Sequence, residues 1–223
     1  MPGADMFELS ELERDALTEL INIGMGQAAS ALNELVDEVV RLSVPQLELL
    51  DSDHMYRRLN EGAMDRITGA RQHFHGPFDG EAMLLFPEGR SLELVRLLAD
   101  SAMPTEEMGD FEQEALTEIA NVILNACIAS LADSFGCEIG TSIPVYLHGR
   151  AWDIQSVSGD ADEILLFLKI DFSLESERDV QGYVVLVIGV QSAESFRHCI
   201  REYVQSQLVG LELDWSDNGF GAS

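Results

Sequence analysis

Asp15-Ala-Leu-Thr-Glu-Leu-Ile-Asn22 and Glu114-Ala-Leu-Thr-Glu-Ile-Ala-Asn121 are two versions of one pattern, 99 positions apart in a chain of 223 residues. From each asparagine, 22 residues intervene before a proline, Pro45 in the first copy and Pro144 in the second. Further on, each copy has a glycine opening an apolar run, Gly80 to Phe86 and Gly182 to Ile188, followed by a helical pattern. A repeat of this length with a shared order of elements reads as a duplicated supersecondary unit.

Each half then resolves into a long helix, about three strands and a closing helix. Alternation and β-branched or aromatic enrichment place strands near Val39–Leu49, Arg66–Phe74 and Gly80–Phe86, then near Cys137–Leu147, Glu163–Phe172 and Val180–Val190. The closing helices fall at Ser91–Asp100 and Ser192–Gln207. The fold class that follows is α+β, with two pseudo-two-fold halves (about 8–103 and 108–207) packing their helices on one mostly antiparallel sheet. Residues 1–208 form a single domain in this reading. Leu50–Ala63 is a helix or loop inserted in the first half, and Pro104–Gly109 joins the halves. Residues 209–223, with Trp215 and Phe220, form an acidic, flexible tail.

The repeated helices carry the candidate chemistry. Ser10 with Glu13 fits a capping box, and Asp110 with Gln113 holds a comparable place. At 100° per residue, Leu17, Leu20, Ile21, Gly24, Ala28, Ala31, Leu32 and Leu35 share one face, while Asp15, Glu19, Asn22 and Gly26 lie opposite. The second helix repeats this, with Leu116, Ile119, Ala120, Ile123, Cys127 and Leu131 inward and Glu114, Glu118, Asn121 and Asn125 outward. A polar helix face is ordinarily just a solvated one. Here, though, asparagine and glycine, both poor in helix interiors, stand at chosen outward positions, and locally unfavourable choices concentrate at functional surfaces. Gly26 leaves room for a partner's backbone beside Asn22, whereas Asn125 adds bulk or a hydrogen bond beside Asn121. The glycine-flanked first copy is the stronger candidate of two competent sites.

Composition bounds the partners. Forty acidic against 13 basic residues give a formal charge of −27, which opposes binding to nucleic acid or anionic membrane surfaces. Met1–Leu9 lacks the pattern of a signal peptide, no apolar run approaches a membrane span, and the expected location is cytoplasmic. Cys127, Cys137 and Cys199 have no metal or disulfide spacing and read as core residues. His73 and His75 share a strand face and His54 is a further imidazole, but without an acidic or cysteine partner at a recognised spacing they read as polar residues of an exposed sheet edge.

The doubled pattern of Glu, two residues, Asn, 22 residues, Pro, together with Asn22-Ile-Gly-Met-Gly26, resembles the CheC, CheX and FliY phosphatases of chemotaxis, CheC most of all. The resemblance implies hydrolysis of the aspartyl phosphate of a CheY-like response regulator. Asn22 and Asn121 would orient water at phosphorus, Glu19 and Glu118 would pair with the regulator's lysine, and Asp15, Gly26, Glu114 and Asn125 would meet the partner. Magnesium would sit in the regulator's acidic pocket, so this chain would bind no cofactor or metal of its own. A CheD-type receptor deamidase is a second partner that the resemblance implies. Flagellar-switch relatives that serve as binding modules are the non-catalytic alternative. Retention of both Glu and Asn pairs argues against it, and the short stretch after Leu208 leaves no room for FliY's further C-terminal domain.

Overall fold

A computed structural model of the chain describes residues 8–35, 39–50, 54–55, 57, 66–98, 108–150, 164–174 and 177–217. Helix α1 (Glu11–Leu35) leads into β1 (Val40–Leu50), and β2 (Arg66–His75) and β3 (Gly80–Pro87) precede α2 (Arg90–Leu98). Helix α3 (Met108–Phe135), β4 (Gly140–Thr141), β5 (Val145–Arg150), β6 (Ile164–Leu174), β7 (Glu177–Ile188) and α4 (Val190–Asp217) follow. The architecture is α+β, and every pairing between described strands is antiparallel.

Strand order is β1-β6-β7-β3-β2, with β4 and β5 both on the far side of β2. The order is palindromic: each strand of the first half sits where its second-half counterpart sits when the sheet is read from the other end. Register agrees, because Met83 of β3 faces Val185 of β7, the residue at its own place in the other Gly-opened run. The edge strands are exchanged, β1 pairing with β6 and β5 with β2. Both repeated prolines interrupt these outer strands: the β1 register shifts between Ser43 and Gln46, across Pro45, and Pro144 lies between β4 and β5. A residue without an N–H cannot continue a ladder, so it is accommodated at a bulge or break.

Helices α1 and α3 cross antiparallel, since Leu20 lies opposite Ser130 while Gly24 lies opposite Ala126. Gly24 makes the crossing close: a Cβ there would come within 2.9 Å of both Ala126 O and Cys127 Cα. Ser130 Oγ donates to the Leu20 carbonyl at 2.6 Å across the same seam. The buried arc of each helix is therefore wider than one sheet-facing stripe, taking in Met25 on α1 and Leu124 and Ile128 on α3. Ala31, placed inward by the wheel, lies at the margin of that arc and is exposed. The Leu35 side chain lies outside the described residues.

Helix α3 is long and apolar enough by length and composition to cross a membrane over Phe111–Phe135. That corrects the reading that no segment approaches a span. Leu116, Ile123, Leu124, Cys127 and Leu131 are at most 1% exposed, packed in the cluster that joins α1, α3, α4 and one sheet face, so the apolarity serves the core. Each such side chain contributes on the order of 1.5–3 kcal/mol. The opposite sheet face holds a smaller cluster of Met83, Leu85, Phe167 and Val185, with Met55 packed on it. Of the expected insertion Leu50–Ala63, His54, Met55 and Arg57 are helical. The expected connection Pro104–Gly109 lies largely outside the described residues.

Two other expectations change. Helix α4 runs to Asp217, so the closing helix continues through Trp215 where the sequence places a tail after Leu208. Phe220 lies outside the described residues. Strand β2 is paired on both sides, by β3 and by β4 and β5, so His73 and His75 do not line a sheet edge. The strands that cover them come from the other half.

Candidate functional site

The first motif helix begins with a reciprocal cap. Ser10 N–H donates to Glu13 Oε2 at 2.7 Å and Glu13 N–H donates to Ser10 Oγ at 3.2 Å. Arg201 of α4 closes on the same carboxylate at 3.1 Å. Burial pushes the Glu13 carboxyl up, but the Ser10 N–H, the Ser10 hydroxyl and the Arg201 guanidinium together hold it below its ordinary value. The corresponding place on α3 is Glu112, which accepts from Ser91 Oγ of α2 at 2.6 Å. Each motif helix is thus tethered at its start by the closing helix of the other half. The Asp110 side chain, the expected second cap, lies outside the described residues.

Asp15, Glu19, Asn22 and Gly26 are all exposed, as the wheel requires, while Leu17, Leu20, Ile21, Gly24 and Ala28 between them are buried. A Cβ on Gly26 would meet nothing within 4 Å, so the surface beside Asn22 is open. Ile23 stands 44% exposed next to Asn22. An apolar residue on an otherwise polar arc is the sequence signal that singles it out.

The second motif is built differently. Glu114 and Glu118 are exposed, and with Gln113 and Thr117 they line a groove of about 480 Å³. Asn121 and Asn125 are half-buried rather than fully outward. Asn125 Nδ2 donates to Asn121 Oδ1 at 2.8 Å, and Gln72 Nε2 of β2 donates to Asn125 Oδ1 at 2.6 Å. Asn125 therefore turns toward the sheet, because α3 packs beside β2 and a buried amide there needs a partner. Gln72 is 1% exposed, between inward Ala70 and Phe74. It was legible as a glutamine at an apolar position of an alternating strand, but its meeting with Asn125 was not.

Elsewhere, His73 Nδ1 lies 3.2 Å from Glu81 Oε1, its cross-strand neighbour. Among the described residues no three His, Cys, Asp or Glu side chains converge to hold a metal ion. Cys127 is fully buried, which pushes its thiol up to about 12, and burial also raises Cys137 and Cys199.

The antiparallel sheet of exchanged strands thus carries a crossed pair of helices, each with a Glu-x-x-Asn arc. Residues 12–49 match the CheC-like family and residues 68–168 match the chemotaxis phosphatase CheX family. The CheY-P phosphatase CheC of Bacillus subtilis is 25% identical over 139 residues, covering 61% of this chain and 66% of that protein. The flagellar motor switch phosphatase FliY of the same organism is 22% identical over 139 residues, covering 61% of this chain and 36% of that protein. The chain thus spans somewhat less than two thirds of the first relative and about a third of the second. FliY of Thermotoga maritima superposes with a TM-score of 0.70 at 16% identity, over 88% of this chain and all of that one. The resemblance carried by the two motifs is therefore the one that these comparisons find.

Proposed function

We propose that this chain is a phosphatase acting on the aspartyl phosphate of a CheY-like response regulator, as a single unit of two repeats (about 8–103 and 108–207), through Glu19–Asn22 and Glu118–Asn121. The observation that carries the reading is the twice-used Glu-x-x-Asn arc. It leaves both glutamates and Asn22 exposed, and Asn121 half-exposed, on helices whose remaining turns are committed to the core.

Hydrolysis of an acyl phosphate has a good carboxylate leaving group, so a positioned water matters more than a strong base. A carboxamide inserted into the regulator's site can accept from water through its oxygen and donate to a phosphoryl oxygen through its nitrogen. Water oxygen bonds to phosphorus as the bond to the aspartyl oxygen breaks. The regulator regains its carboxylate and inorganic phosphate leaves with the water's protons. Glu19 and Glu118 supply anions for the regulator's lysine, while Asp15, Gly26, Glu114 and Asn125 border the contact. Magnesium belongs to the regulator's acidic pocket in this scheme, and the setting is cytoplasmic.

The test is phosphate loss from a phosphorylated CheY-like receiver with wild type, Asn22→Ala, Asn121→Ala and the double variant. Each single change should slow the contribution of its own site by about 10- to 1000-fold, as removal of preorganised polar groups does elsewhere. A double variant as fast as wild type overturns the reading. Tight binding of the receiver or of a CheD-type deamidase, without acceleration of phosphate loss, replaces it with an adaptor role.

A further inference from the structure

We infer that the second site is held ready by a one-sided amide relay, in which Gln72 of the sheet fixes Asn125 and Asn125 fixes Asn121, while the first site has no such support. The inference rests on the phosphatase reading and adds Gln72 and Asn125 to it as positioning residues.

The asymmetry is visible at both relay positions. On the helix, Gly26 occupies the place of Asn125. On the sheet, Gln72 pairs with Ala82, and the residue corresponding to Ala82 in the other half, Val184, pairs with Leu168. Leu168 is therefore the counterpart of Gln72, fully buried on the same helix-facing side. The first site thus has glycine and leucine where the second has asparagine and glutamine, each site drawing its helix residue from one half and its sheet residue from the other.

A glutamine at 1% exposure within an apolar sheet face is unfavourable unless it is bonded, and its Oε1 has no hydrogen-bond partner among the described residues. An apolar residue fits the equivalent place, so packing alone does not demand the amide. What the amide does is bond to Asn125 at 2.6 Å, which bonds to Asn121 at 2.8 Å. The relay occupies one lone pair of Asn121 Oδ1 and leaves the other lone pair and both Nδ2 hydrogens for water and phosphoryl oxygen. Exchanging oxygen and nitrogen along the chain reverses its sense and keeps it intact. A carboxamide held in one rotamer avoids the orientational loss that the exposed Asn22 incurs on reaction.

The experiment isolates the second site in an Asn22→Ala background and measures kcat and KM on a phosphorylated CheY-like receiver for Gln72→Leu and Asn125→Ala. Gln72→Leu reproduces the other half's residue and lies beneath the helix, away from the partner. Both changes should lower kcat by about 10-fold, and Gln72→Leu, buried beneath the helix, should do so with KM unchanged, since orientation rather than docking is lost. Gln72→Leu should leave the thermal midpoint level with or above that of its parent. A second measurement needs no substrate: the side-chain amide ¹⁵N order parameter should be high for Asn121 and low for Asn22, and Asn121 should become mobile in both variants. Unchanged kcat for Gln72→Leu where the Asn22→Ala/Asn121→Ala protein is inactive overturns the relay alone. An Asn121 amide as mobile as that of Asn22 in the wild type overturns it without any assay of activity. A fully active double asparagine variant overturns the phosphatase reading instead.

Discussion

Gly24→Ala and Gly26→Ala add the same methyl group to the same helix two residues apart, and the structure gives them opposite signs. Each change gains up to about 1 kcal/mol in helix propensity. At position 26 nothing lies within 4 Å of the new carbon, so the gain stands and the protein is stabilised by about 1 kcal/mol. At position 24 the carbon meets Ala126 O and Cys127 Cα at 2.9 Å and Ala126 C at 3.2 Å, all backbone atoms of α3 that no rotamer change can move. Comfortable contact begins at roughly 3.5 Å, so the two helices must separate by about half an ångström. That strains the Ser130–Leu20 bond and loosens the seam, an overpacking cost of about 1–3 kcal/mol. Net of the propensity gain, Gly24→Ala should destabilise by up to about 2 kcal/mol, leaving the two variants about 1–3 kcal/mol apart. Urea unfolding followed by circular dichroism should show equal slopes and midpoints separated by about 1 M, at a slope of about 2–3 kcal/mol per molar. A Gly24→Ala midpoint at or above that of wild type would refute the close crossing. Because Gly26 borders the proposed regulator contact, Gly26→Ala should also slow phosphate removal despite its added stability.

The Glu13 carboxyl, held below its ordinary value in the fold, stabilises above the unfolded pKa of about 4.3, and that contribution is lost as pH falls through the lower folded value. The difference in urea midpoint between wild type and Glu13→Gln should therefore be full near neutrality and shrink below about pH 4; a difference constant with pH would contradict the Arg201 and Ser10 attachment. A chain cut between residues 103 and 108 should give halves that fold only when mixed. Each half leaves an edge strand and a closing helix without the partners they have in the whole chain, and a folded monomeric half in sedimentation would speak against the exchange. Cys127, with its thiol pushed up to about 12, should resist alkylation at pH 8 until the protein unfolds, while the half-buried Cys137 and Cys199 react sooner.

The sequence by itself determined the elements and the candidate residues, because those depend on local periodicity. The repeat at Asp15–Asn22 and Glu114–Asn121, the six strand regions and the exposed Glu19, Asn22 and Glu118 all follow from spacing along one segment. The sequence could not show which segment lies beside which, since strands from the two halves carry similar patterns and nothing local tells β2 to pair with β5. That exchange explains why β2 is interior, why His73 and His75 are not edge residues, and why Gln72 sits under the second motif helix. The wheel turned Asn125 outward because it knows only one helix, whereas packing of α3 against β2 turned it into a bridge between the sheet and Asn121. The two sites look alike as sequence because they share a motif, and only the tertiary structure makes them different, because a buried amide has to find its hydrogen bond across the chain.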